Sequence, residues 1–204
     1  PMRKPTIGLI DYGAGNCASV KRLISKLGYR SLLINNHKDF DKVNILLVPG
    51  VGAFPSAMES LKSLDLIKPI IDYADSGKPL VGVCLGMQLL ADSSEELGLS
   101  EGLGLIPGNV EPLSDMKWQI GWNTLDCVRD CSITSKSNGK SFYFNHSYEF
   151  KTSKKYIVGV AKEKNPIVSV VRKNNVYGMQ FHPEISQISG FKLLRRVFEE
   201  YTNA

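Results

Sequence analysis

Four short apolar runs dominate the first half of the chain: Thr6–Asp11 (TIGLID), Ser31–Ile34 (SLLI), Asn44–Val48 (NILLV) and Leu80–Val83 (LVGV). Each is the length of a buried strand and too short for a core helix. Between them lie stretches with helical apolar spacing. One is Ser19–Leu27, ending at Gly28; another is Ala57–Tyr73, which reads as one or two helices broken before Pro69. Leu80–Val83 runs straight into a helical Leu85–Ala91. Parallel neighbours need such crossovers because no tight hairpin can join them, so the pattern predicts an α/β chain with a mostly parallel central sheet flanked by helices.

From Gly104 the pattern changes to β-rich runs: WQIGWNTLD, SFYFNHSYEF, KYIVGVAKE and PIVSVVRKNNVYGMQF, the last with Asn174-Asn175 as a hairpin turn. The C-terminal half is therefore expected to hold a smaller antiparallel part. A closing helix over Ile188–Tyr201 carries Phe191, Leu193, Leu194, Val197 and Phe198 as a core-facing stripe. With no linker, repeat or low-complexity segment, residues 1–204 read as one domain.

The net charge of +5 is spread over scattered lysines and arginines rather than massed, which argues against a nucleic-acid partner. Cys17, Cys84, Cys127 and Cys131 lack the paired spacing of a zinc site, and only three histidines are present, so no metal is expected. No run approaches the roughly eighteen apolar residues of a membrane span, and a cytoplasmic chain with reduced thiols is the expectation. Pro1 ahead of Met2 reads as a remnant of an expression vector.

Cys84 is the one residue whose surroundings demand chemistry. A free cysteine in an apolar strand is ordinarily a small buried hydrophobe. Here Gly82 and Gly86 flank it in Gly82-Val83-Cys84-Leu85-Gly86, which permits a sharp strand-to-helix turn that lifts the thiol off the sheet edge. A helix beginning at the cysteine would favour a thiolate and offer its amides to a tetrahedral oxyanion. A nucleophile needs a base. His37 lies in a polar stretch and reads as solvated, and His146 reads as a packed strand histidine. His182 ends an apolar run, Pro183 stops the strand, and Glu184 follows two residues on, which suits a base oriented by a carboxylate. Pro49-Gly50-Val51-Gly52, after the neighbouring strand, offers amides that would join the Leu85 amide in an oxyanion hole. Cys17, Cys127 and Cys131 read as structural or surface thiols, and Met87, Trp118 and Trp122 as core or interface residues.

GVCLGMQLL, with LVPGVGAF before it and GMQFHPE after it, resembles the class I (triad-type) glutamine amidotransferases, from Thr6 to the last helix. IDYGAGN, the PGVGAF loop, GWN at Gly121–Asn123 and FYFNHSY at Phe142–Tyr148 look like the glutaminase subunits of imidazole glycerol phosphate synthases. The resemblance implies a flavodoxin-like amidotransferase fold and hydrolysis of L-glutamine to glutamate and ammonia without a cofactor. It makes Cys84 the nucleophile, His182 the proton shuttle and Glu184 its orienting carboxylate, with Gln88, Ser147 and Tyr148 holding the substrate. It implies a heterodimer with a (β/α)8-barrel cyclase that receives the ammonia, and a Gly50–Gly52 loop that forms the oxyanion hole when the partner is occupied. Histidine biosynthesis is the first destination implied. A paralogous group feeding an amidino-sugar step of bacterial surface-polysaccharide synthesis is the alternative. A cysteine-elbow peptidase or stress protein is a third reading, against which Gln88 and the PGVG loop speak. Four residues depart from the usual pattern: Trp118 and Gln119 stand where Pro-His is common, Asn145 where an aliphatic is usual, and Ile185 where lysine is usual.

Overall fold

The computed structural model describes residues 3–202. Pro1 and Met2, the site of the vector remnant inferred above, lie outside the described residues. The first half of the chain forms β1 (Thr6–Ile10), α1 (Cys17–Lys26), β2 (Arg30–Ile34), β3 (Ile45–Val48), α2 (Phe54–Ser63), α3 (Ile67–Asp75), β4 (Leu80–Val83) and α4 (Leu85–Gln88). The second half forms β5 (Ser93–Ser94), β6 (Ser100–Glu101), β7 (Asn109–Pro112), β8 (Gln119–Cys127), β9 (Ser141–His146), β10 (Tyr148–Lys151), β11 (Ile157–Ala161), β12 (Ile167–Lys173), β13 (Val176–Met179) and α5 (Gln187–Thr202).

One large sheet carries the strand order β2-β1-β3-β4-β13-β12-β11-β8-β9. Pairing is parallel from β2 through β4 to β13, and antiparallel from β13 outward to β9. The antiparallel strands thus extend the parallel sheet instead of forming a separate layer. A second, four-stranded sheet, β10-β7-β5-β6, was not foreseen, because two of its strands are only two residues long.

Both faces of the parallel half are covered, and that explains the unbroken apolar runs. In β3, Ile45 and Leu47 pack on one face with Val20, Ile24, Leu194 and Phe198 of α1 and α5, while Leu46 and Val48 pack on the other with Phe54, Leu61 and Ile70 of α2 and α3. The Asn174-Asn175 turn closes the β12–β13 hairpin, with Lys173 opposite Val176. At the end of α1, Gly28 takes φ +83 and its amide, with that of Tyr29, closes on the Ser25 and Ile24 carbonyls.

Two helix boundaries differ from expectation. The break between α2 and α3 falls at Leu64–Leu66, where Asp65 takes φ 53, and not immediately before Pro69. Pro69 instead sits in the first turn of α3, where a missing N–H costs no intrahelical bond. Helix α4 ends at Gln88 instead of continuing to Ala91. The carbonyls of Leu89, Leu90 and Ala91 accept from the amides of Leu103, Leu105 and Gly104 at 2.8, 2.9 and 3.0 Å, so a crossing segment takes the bonds a continued helix would have used.

Candidate active site

The carboxyl ends of β3, β4 and β13 carry Val51, Cys84 and His182 to one cleft of about 420 Å³. The elbow at Cys84 is a measurable feature of the backbone. Cys84 adopts φ 56, ψ −116, a conformation that costs about 1–3 kcal/mol for a residue with a Cβ and persists only where surroundings hold it. Its amide donates to the Met179 carbonyl of β13 at 2.8 Å, and its carbonyl accepts from Met87 at 3.0 Å. The flanking glycines are required by contact: a Cβ on Gly86 would lie 1.8 Å from the Val48 oxygen, and one on Gly82 would lie 2.5 Å from the Gly86 oxygen.

His182 is buried, and its Nδ1–H donates to Glu184 Oε1 at 2.8 Å. The main chain around it is fixed on both sides. Its amide donates to Tyr143 O at 2.9 Å, and Ser186 Oγ donates to its carbonyl at 2.5 Å. Burial opposes a charge on this imidazole, but the interactions with Cys84 and then with Glu184 outweigh it and push the pKa up to about 10. An imidazolium at neutral pH is the partner a thiolate needs.

The oxyanion side is closed. The Leu85 amide donates to the Gly50 carbonyl at 3.3 Å, and the Val51 amide donates to Ala14 O at 2.6 Å. Both donors are therefore turned to protein acceptors. Gly52 takes φ +101 and is exposed, and Tyr12 Oη anchors the Pro49 carbonyl at 2.6 Å, so the loop has one fixed and one free end.

The remaining wall comes from β9, β10 and α4. Gln88 Nε2 donates to the Tyr148 carbonyl at 3.2 Å. His146 Nδ1–H donates to the same carbonyl at 2.7 Å, and its Nε2 lies 2.7 Å from Gln119 Oε1. Burial, opposed by the bond to Tyr148, lowers the pKa of His146 to about 4. In the neutral ring Nε2 can only accept, so the Gln119 amide is assigned with oxygen and nitrogen exchanged, which turns its otherwise partnerless nitrogen toward the ring. The expectation that His146 is a packed strand histidine agrees with this placement.

Cys84, His182, Glu184, Val51, Gly52, Leu85, Gln88, Ser147 and Tyr148 all line the cleft, and Gly50 stands behind Leu85. Sequence reasoning missed Glu96, which also lines it and accepts from the Phe54 amide at the start of α2 through Oε2 at 3.0 Å. Nothing in SSEELG signals a carboxylate that reaches 42 residues back along the chain. Asn16 and Tyr143 also line the cleft without having been singled out, and Ser186 supports it from behind, its Oγ accepting from the Tyr143 amide at 2.9 Å. Trp118 and Trp122, read as core or interface residues, are 58% and 50% exposed and so are not core. The unusual residues pair with the strands beside them: Trp118 Nε1 donates to Asn145 Oδ1 at 2.7 Å, and Gln119 meets His146. Ile185 is exposed at the cleft's edge. No helix among the described residues is long and apolar enough to cross a membrane, and no cluster of potential metal ligands occurs among them.

Comparison with known proteins gives the family and the fold. Residues 8–200 match the family described as glutamine amidotransferase class-I. The chain is 39% identical over 202 residues to an imidazole glycerol phosphate synthase subunit HisH of Listeria innocua, with 97% of each chain covered. It is 41% identical over 201 residues to one of Desulfitobacterium hafniense, covering 97% of this chain and 95% of that one. Among solved structures, PurLQS from Thermotoga maritima superposes with a TM-score of 0.76 at 18% identity, over 98% of this chain and 99% of that one. A glutamine amidotransferase from the same organism gives 0.71 at 14%, over 99% and 100%. With its elbow cysteine, buried histidine and carboxylate in one cleft, the chain belongs to the class I glutamine amidotransferases.

Proposed function

We propose that this chain is the glutaminase subunit of an imidazole glycerol phosphate synthase, hydrolysing L-glutamine and passing the ammonia to a (β/α)8-barrel cyclase in histidine biosynthesis. The observation that carries the reading is the meeting of Cys84, His182 and Glu184 in one cleft with Gln88 and Tyr148 on its wall. The Listeria and Desulfitobacterium subunits support the choice of synthase. A cytoplasmic location goes with that pathway.

The Cys84 thiolate attacks the carboxamide carbon, forming the C–S bond and a tetrahedral oxyanion. His182 gives a proton to the departing ammonia as the C–N bond breaks, leaving a thioester. His182 then takes a proton from water, whose oxygen attacks the thioester and releases glutamate and the thiolate. Glu184 keeps the ring in the tautomer that faces Cys84 with Nε2. The oxyanion needs the Leu85 amide, which the Gly50 carbonyl occupies. Rotation of the Gly50–Val51 peptide would free that amide and bring in the Val51 N–H. One such donor contributes about 10²–10³ in rate, so the isolated subunit is nearly inactive until its partner turns the loop.

The test is synthesis by the reconstituted complex with glutamine or with ammonium as nitrogen source. Cys84→Ala should abolish the glutamine-dependent rate and keep the ammonium-dependent one; equal loss of both would contradict the division of labour. Failure of the reconstituted pair to make imidazole glycerol phosphate from either source would remove the histidine assignment.

A further inference from the structure

Gln180, between β13 and the His182 turn, is fully buried and has no part in the chemistry described so far. Its Oε1 accepts from Gln88 Nε2 at 3.2 Å across 92 residues of sequence, while its backbone amide donates to Ser169 O at 2.8 Å. Its own Nε2 has no partner among the described residues. An unpaired buried amide nitrogen is costly, so the orientation that leaves it unpaired must be set by something else. Gln88 sets it. The Tyr148 carbonyl can only accept, which turns Gln88 Nε2 toward it, and a reversed Gln180 would then place nitrogen against nitrogen.

The consequence lies on the cleft side. Both hydrogens of Gln88 Nε2 are committed to protein, one to Tyr148 and one to Gln180. Gln88 Oε1 accepts from no described residue and is the part of the amide left for the cleft that Gln88 lines. We propose that Gln180 is a positioning residue for substrate recognition: it locks the Gln88 amide with oxygen toward the cleft, so that this wall selects the α-ammonium group of the substrate. The α-ammonium is the donor that fits, because the carboxamide nitrogen must face His182 to be protonated as it leaves, which leaves the α-ammonium as the substrate's other N–H donor for this oxygen. A site built around an N–H donor rejects an analogue that lacks it.

This rests on the glutaminase reading, and the test separates the two. The complex with the cyclase partner is assayed with L-glutamine and with 4-carbamoylbutanoate, which has the same carboxamide and carboxylate but no amino group. Wild type should favour glutamine strongly in kcat/KM. Gln180→Met removes the acceptor at nearly constant volume and should narrow that ratio about tenfold, chiefly through KM for glutamine. Gln180→Glu keeps an acceptor opposite Gln88 Nε2 and should hold the ratio at or above the wild-type value. A ratio cancels any difference in folded fraction, so partial misfolding of a variant does not imitate the effect. An unchanged ratio in Gln180→Met overturns the proposal while leaving the glutaminase reading intact. No turnover of glutamine by the wild-type complex overturns both.

Discussion

His182 and His146 stand in the same cleft, and each is 6% exposed, yet their imidazoles are driven in opposite directions: His182 up to about 10, His146 down to about 4. Burial lowers both and therefore cannot explain the difference. What differs is the company of the ring. His182 has the Glu184 carboxylate on Nδ1 and Cys84 across from it, whereas His146 has a neutral carbonyl on Nδ1 and a neutral amide on Nε2. One cleft thus holds a histidine placed to carry charge beside Cys84 and another placed to stay neutral beneath the Tyr148 carbonyl. The difference rests on the charged company of His182, Cys84 first and then Glu184, which His146 lacks.

The largest expected effect tests the division directly. His182→Ala should lower the glutamine-dependent rate by about 10³–10⁴ while sparing ammonium-dependent synthesis. His146→Ala should act mainly on KM, because it loosens the Tyr148 carbonyl that also holds Gln88. Steady-state kinetics of the complex read both, and an equal fall in kcat for the two variants would break the comparison. Next in size is Glu184→Gln, which gives His182 a neutral partner like those of His146. A loss of about a hundredfold in kcat is expected, smaller than for His182→Ala because the base is misoriented rather than removed. The sign in pH follows. Without the carboxylate the imidazolium is lost at lower pH, so the alkaline limb of kcat/KM should move down; a limb that stays in place would mean that Glu184 does not hold the charge on His182.

Stability should report the same contrast. His182 has a folded pKa of about 10, above the ordinary imidazole value of about 6.5, so its contribution is full below about 6.5 and gone above about 10. The difference in thermal unfolding between wild type and His182→Gln should accordingly shrink as pH rises through that interval. A gap that widened instead would show that the charged form is not the one the fold favours.

How much of this was legible in the sequence depended on how local each cause was. The Cys84 elbow is written within five residues, because the glycines that permit it are its neighbours at two removed on each side. The His182–Glu184 pair is likewise local, joined across a proline turn. The parallel half of the sheet followed from run lengths alone. Features set by distant chain were not legible. Helix α4 looked longer because the segment that takes its carbonyls begins at Leu103. Glu96 reaches the cleft only after the 42-residue excursion that brings it to Phe54. The opposite fates of two histidines needed the β8–β9 register, which sets Gln119 against His146. Trp118 and Asn145 looked like unrelated departures until the same strand pairing joined them.

The smallest effect bears most closely on what separates the two histidines. Gln119→Glu supplies His146 with a carboxylate, the feature it lacks, without touching Cys84, His182 or Glu184. In the wild-type protein the folded pKa of about 4 lies below the ordinary imidazole value of about 6.5, so the stability contributed by the neutral ring is present above about 6.5 and lost as pH falls through about 4. A carboxylate opposite Nε2 makes that nitrogen a donor and raises the folded pKa, so the variant should lose less stability than wild type between pH 7 and pH 5. The imidazole carbon resonances of His146 should titrate upward from about 4 in the same variant. Catalysis should change only a few-fold, since Tyr148 keeps its bond from Nδ1 in either protonation state. If the His146 titration does not move, the neutrality of this ring is set by burial and not by the group opposite Nε2.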